Sequence, residues 1–167
     1  MMNKKDFSIV CIGAGNVATH LAQALQQKGF HLSQIYSRTQ ESAQALAQTL
    51  GCAWTTCLEQ VDEHADLYIV SVKDAVLETV ISQLVHCNPD ALYLHTAGSM
   101  PMEVWKEKFK NYGVAYPMQT FSKQREVNFE EVPFFLEANS PENLSLLQEI
   151  TGSLSPKVYE ASSEQRK

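Results

Sequence analysis

Long apolar runs are missing from this chain of 167 residues: none approaches the roughly 20 residues that a membrane-spanning helix needs. The apolar stretch Phe7 to Ile12 is too short for the core of a signal peptide and runs straight into glycine. An excess of basic charge is missing too. Thirteen Lys and Arg stand against 19 Asp and Glu, a net charge of −6, which argues against nucleic acid or an anionic membrane surface as the main partner. Cysteine is sparse and scattered. Cys11, Cys52, Cys57 and Cys87 have neither zinc-site spacing nor a disulfide framework, so no metal site is expected and Cys11 reads as a small core residue. These absences place the protein in the cytoplasm as a matter of expectation. What remains is a moderately charged chain, 19% Asp, Glu, Lys and Arg, long enough for one domain with a sizeable core.

A fourth absence is local. NAD-binding folds place Asp or Glu about 20 residues past their glycine turn to hold the ribose 2′-hydroxyl. The glycine turn is here: Gly13-Ala14-Gly15-Asn16-Val17-Ala18 follows the apolar run Phe7–Ile12 and precedes a segment with Val17, Ala18, Leu21, Ala22 and Leu25 on one helical face. Strand, G-x-G-x-x-A and helix in that order make a dinucleotide-binding fingerprint. Gly13 allows the tight turn, Gly15 removes a side chain where a pyrophosphate must approach, and Ala18 lets the helix pack close to the sheet. The alternative is a turn kept for packing alone. At the position of the usual acid stands Ser37-Arg38-Thr39. A carboxylate would repel a 2′-phosphate, whereas a guanidinium flanked by two hydroxyls would bind it through charge-assisted hydrogen bonds. The pattern therefore predicts NADP(H) rather than NAD(H), unless Arg38 is merely solvated and Thr39 only caps the next helix.

Strand and helix signals alternate along the rest of the chain. Helices are expected at Gln40 to Leu50, after Asp74 as cap, at Pro101 to Lys110 and after Ser140-Pro141-Glu142. Strands are expected at Ala53–Thr55, Leu67–Val72, Ala91–His95, Gly113–Tyr116, Val132–Leu136 and Lys157–Glu160. Such alternation implies an α/β fold, a doubly wound and mostly parallel sheet of the NAD(P)-binding Rossmann kind. Ser162-Ser163-Glu164-Gln165 carries the S-x-x-Q pattern of a capping box, so one more helix is expected to open there.

Ligands of open α/β sheets bind beyond the carboxyl ends of the strands. Three segments qualify: Ser71-Val72-Lys73-Asp74, His95-Thr96-Ala97-Gly98-Ser99 and Tyr116-Pro117-Met118-Gln119-Thr120-Phe121. The expected cofactor-binding set is Gly13, Ala14, Gly15, Asn16, Val17, Ser37, Arg38, Thr39, Ser71, Val72, Lys73, Thr96 and Gly98, with Gly98 leaving room for a nicotinamide ribose. Lys73 and His95 are the candidates for proton donation or carbonyl orientation, against the blander readings of a solvated loop lysine and a histidine that satisfies a backbone group. No Ser/His/Asp or Cys/His constellation can be argued from spacing.

Taken together, the glycine turn, Ser37-Arg38-Thr39, His95-Thr96-Ala97-Gly98-Ser99 and Tyr116-Pro117-Met118-Gln119-Thr120-Phe121-Ser122 resemble bacterial Rossmann-like NADP oxidoreductases, relatives of pyrroline-5-carboxylate reductase and the deazaflavin-dependent NADP reductases. The resemblance implies an NADP-dependent oxidoreductase acting on a small carbonyl or imine. It also implies a C-terminal helical domain that mediates dimerisation and closes the site, with Ser162 to Lys167 as its first turn. Residues 1–155 are then the cofactor domain and 156–167 a linker leading into a helical domain that is cut off. An apolar patch is expected near His95, Tyr116, Met118 and Phe121 where that domain would pack. The family more often has His where Tyr116 stands. Two other classes remain open: a non-catalytic NADP(H)-binding module, and a methyltransferase using S-adenosylmethionine, against which the missing acid counts.

Overall fold

The computed structural model describes residues 3–166. Its frame is one eight-stranded sheet. The strands are β1 (Ser8–Ile12), β2 (His31–Tyr36), β3 (Ala53–Thr55), β4 (Leu67–Val70), β5 (Leu92–His95), β6 (Asn111–Pro117), β7 (Phe134–Ala138) and β8 (Val158–Glu160). They lie in the order β3-β2-β1-β4-β5-β6-β7-β8. The first six run parallel, β7 pairs antiparallel to β6, and β8 runs parallel to β7. The fold is therefore the expected α/β Rossmann type, with the last two strands reversed.

Side-chain alternation explains how both faces are covered. In β1, Ile9 and Cys11 enter one core and Val10 and Ile12 the other; in β4, Leu67 and Ile69 divide from Tyr68 and Val70 in the same way. The first core is closed by α1 (Asn16–Gln27), α2 (Gln40–Leu50) and α4 (Pro141–Gly152), through Leu21, Leu25, Leu46, Leu50, Leu147 and Ile150. The second is closed by α3 (Asp74–Ser82) and by Trp105, which is fully buried and donates its indole N–H to the Gly113 carbonyl at 3.1 Å. Because α1 leaves β1 on one face and α3 leaves β4 on the other, a crevice opens beyond the carboxyl ends of these neighbouring strands.

Helix ends follow local chemistry. Thr39 accepts the Ser42 N–H at the start of α2, Gly51 closes that helix at φ 71°, and Ser140 accepts the Asn143 N–H at the start of α4. Four expectations need correction. The segment 101–110 is only a 3₁₀ turn, Met102–Trp105, since Glu107 adopts φ 71° and breaks any continuation. Asp74 is the first residue of α3 rather than its cap, and its carboxylate accepts the Ser99 hydroxyl at 2.5 Å. The strand expected at 132–136 starts later, at Phe134, because a 3₁₀ turn, Phe129–Glu131, precedes it. The sheet also runs past the expected domain edge at 155, since β8 pairs with β7. No helix among the described residues is long and apolar enough to cross a membrane.

Candidate dinucleotide site

The glycine turn divides its labour in a way the geometry makes plain. Gly13 sits at φ 118°, its N–H bonds the Tyr36 carbonyl at 2.7 Å, and a Cβ there would lie 2.4 Å from the Ser71 carbonyl oxygen. It is glycine because three strand ends converge on it. Gly15 is different: a Cβ there would meet nothing within 4 Å, so its bareness serves no packing within the chain. Gly15 stands at the N-cap of α1, where no side chain caps the helix and no acid occupies the first turn. The first N–H groups of α1 and the positive end of its dipole thus remain available to an anion.

A cleft of about 720 Å³ opens beyond this turn. Gly13, Ala14 and Gly15 line it, together with Ser37, Arg38 and Thr39 from the end of β2 and Ser71, Val72 and Lys73 from the end of β4. Arg38 is exposed and forms no ion pair among the described residues. Empty space at Gly15, free helix N–H groups and an uncommitted guanidinium are what a dinucleotide with a 2′-phosphate requires.

Asn16, Val17, Thr96 and Gly98, expected in the same set, do not line this cleft. Asn16 and Val17 form the first turn of α1, and Val17 packs half-buried against the core. Thr96 is buried and donates its hydroxyl to Ser71 Oγ at 2.9 Å. The reading of Gly98 is corrected: a Cβ there would lie 2.7 Å from the Tyr116 ring, so the space above it is filled by the protein itself. Sequence reasoning also missed part of the wall. Val76 and Val80 of α3 face the cleft, with Val76 46% exposed, and an apolar residue off the buried face of that helix was the available signal. Lys123 reaches the cleft from a distant loop and left no local signal.

Lys73 stands exposed at the cleft, at the N-cap position of α3. His95 is fully buried. Its Nδ1 accepts the Ala97 N–H at 3.1 Å, which leaves the proton on Nε2 to be donated to the Pro101 carbonyl at 3.2 Å. Burial pushes its pKa down to about 4, so the ring is neutral at pH 7, stacked near Trp105 at 6.3 Å. Neither nitrogen is left over for a substrate. The expected apolar patch is likewise corrected: His95 and Phe121 are buried, Tyr116 is half-buried, and of the four only Met118, 53% exposed, projects into solvent.

Beyond β8 the capping box forms as expected: the Ser162 N–H donates to Gln165 Oε1 at 2.8 Å and the Gln165 N–H to Ser162 Oγ at 3.3 Å. It opens α5 (Ser163–Arg166); Lys167 lies outside the described residues. The Arg166 side chain is wholly buried, bonded to Glu137 at 2.7 Å and to the Met100 carbonyl at 2.8 Å.

Comparison with known proteins supports this fold. A Bacteroides fragilis protein designated an NADP oxidoreductase superposes with a TM-score of 0.96 at 53% identity, over 99% of this chain and 64% of its own. Pyrroline-5-carboxylate reductase from Streptococcus pyogenes gives a TM-score of 0.74 at 19% identity, over 94% and 59%. Imine reductase from Myxococcus stipitatus, in complex with NADP+, gives 0.76 at 15%, over 95% and 56%. The last two likenesses speak to the fold alone. The chain thus spans under two thirds of the length of these proteins. No curated protein matches it. Residues 8–97, just over half of the chain, match the family described as NADP oxidoreductase, coenzyme F420-dependent: the chain belongs to that family, and its cofactor is NADP.

Proposed function

We propose that this chain holds NADP(H) in the cleft beyond β1 and β4, and that it serves a reductase transferring hydride between NADP(H) and a small carbonyl or imine. One observation carries the reading. The open turn at Gly15 and the acid-free Ser37-Arg38-Thr39 line a single cleft. Gly13, Ala14 and Gly15, with the N–H groups of Asn16 and Val17, take the pyrophosphate. Ser37, Arg38 and Thr39 take the 2′-phosphate. Ser71, Val72 and Lys73 flank the nicotinamide half, with Thr96 and Gly98 behind them as supports. Bound cofactor supplies the hydride. Lys73, exposed at the cleft, is the better placed of the two proton-transfer candidates, and His95 acts as a buried strut.

A charge-assisted contact is worth about 1.5–3 kcal/mol, so Arg38→Ala weakens NADPH roughly 10- to 150-fold and NADH little. Calorimetric titration of both cofactors tests this; equal losses for the two would sink it. A second reading, NADP(H) binding without catalysis by this chain, is favoured by the engaged nitrogens of His95 and the filled space at Gly98. An NADPH-consumption screen over small carbonyls and imines separates the two.

On the same reading the sheet, through Glu160, is the cofactor domain of a longer cytoplasmic protein, and the capping box at Ser162 begins a helical domain that makes a homodimer. The support is the family resemblance and the greater length of the B. fragilis protein. Sedimentation of the longer protein reads the dimer, and a monomer would refute it.

A further inference from the structure

The loop that follows β6 does not stay at its own strand end. It returns across α1. Phe121 is buried there, its ring 5.9 Å from His20 of α1 and 5.9 Å from Phe129. Phe129 in turn stacks on Phe134 of β7 at 6.0 Å. His20 Nε2 donates to the Ser122 carbonyl, pinning the loop's backbone to the helix. The next residue, Lys123, lines the dinucleotide cleft. It also lines a smaller adjoining cavity of about 140 Å³ between α1 and α2, where Ala14, Thr19 and Ser42 are neighbours. Ala14 and Ser42 belong to both walls, so the lysine stands between the start of α1 and the start of α2.

A cation is oddly placed there. The uncapped N-terminus of α1 carries positive partial charge and repels an ammonium, whereas that of α2 is capped by Thr39 and has Glu41 in its first turn. No acid occupies the first turn of α1, and the only acid lining the cleft is Glu59. Lys123 is exposed and forms no ion pair among the described residues. An anion seated between Lys123 and the start of α1 turns that repulsion into attraction.

Resting on the NADP reading above, we infer that Lys123 is a further binding residue, a clamp on the pyrophosphate beside the glycine turn, and that His20 positions it through the Ser122 carbonyl. The ligand feature is the bridging diphosphate rather than the 2′-phosphate, because of the two helix starts beside Lys123 that of α1, next to Ala14 of the glycine turn, is uncapped and acid-free, whereas that of α2, next to Ser42, is capped by Thr39 and carries Glu41. The role therefore differs from that of Arg38. Lys123 grips any dinucleotide, and Arg38 chooses between them.

Titrating NADPH and NADH into Lys123→Ala tests this. Both affinities fall by about tenfold, with the melting temperature unchanged because the side chain is exposed. His20→Ala gives a smaller loss for both cofactors, and no added loss when combined with Lys123→Ala. Unchanged affinity in Lys123→Ala, with Arg38→Ala still losing NADPH, overturns the clamp and leaves the NADP site standing. Loss of NADPH alone overturns the pyrophosphate assignment. Failure of the unmodified chain to bind either cofactor removes the reading on which the inference rests.

Discussion

The two halves of the sheet's carboxyl edge are built by opposite rules. Toward β2 and β3 the walls leave chemistry unspent: bare space at Gly15, uncapped N–H groups on α1, and Arg38 and Lys123 without ion partners among the described residues. Toward β5 and β6 the protein satisfies itself. His95 bonds Pro101 and Ala97, Thr96 bonds Ser71, Ser99 bonds Asp74, and the Tyr116 ring fills the space over Gly98. Polar groups left unmatched by the chain are open to water or to a ligand, and polar groups matched within it hold a shape. On the proposed function, the first end carries affinity and cofactor choice. The second end is a fitted support.

The sharpest way to break this contrast is at Gly15. A Cβ at Gly15 meets nothing within 4 Å, so a branched side chain there would stand in the pyrophosphate's approach. Gly15→Val should fold and melt like the unmodified protein yet lose either dinucleotide by on the order of a hundredfold or more. Fluorescence titration decides it, and retained affinity would mean that the turn serves packing alone.

At the fitted end the largest effect should follow pH. Burial first, and the Arg166 charge after it, hold His95 neutral, against the opposing pull of its bond to the Pro101 carbonyl and of Asp74 and Glu137. Its pKa of about 4 lies below the 6.5 of a free histidine, so the unfolded chain binds the extra proton first. Stability is intact above pH 6.5 and should fall by about 3 kcal/mol as pH drops from 6.5 to 4. Urea denaturation across that range should give a shallower acid limb for His95→Gln. Parallel limbs would show that the histidine is not the group titrating.

A smaller effect tests the contact between Gly98 and Tyr116. Gly98→Ala should cost about 1–3 kcal/mol by overpacking against the ring. Much of that cost should vanish in a Tyr116→Ala background, which thermal melts of the four variants would show. Additive losses would instead mean that Gly98 is needed for its backbone.

How much of this was legible beforehand follows the range of each interaction. The glycine turn, the buried faces of α1 and α2, and the caps at Thr39, Ser140 and Ser162 depend on residues within a turn of one another, and all were readable. What was hidden depends on partners far along the chain. Asp74 answers to Ser99, Gly98 to Tyr116, and Lys123 reaches a turn more than 100 residues earlier only because His20 and Phe129 bend its loop back. The reversal of β7 could not be seen either, since the hydrophobic pattern of a buried strand does not state its direction.

Arg166 ties two distant stretches into one event. A four-residue helix has too few hydrogen bonds to persist alone. Here its guanidinium is buried against Glu137 and the Met100 carbonyl, while Ser163 Oγ accepts the Met102 N–H at 3.3 Å. The turn at 163–166 therefore cannot fray without releasing the segment 100–102, and that segment carries the carbonyl that receives the His95 proton. In amide hydrogen exchange these stretches should open together, as a single cooperative unit with a common protection factor, instead of grading outward from the last turn.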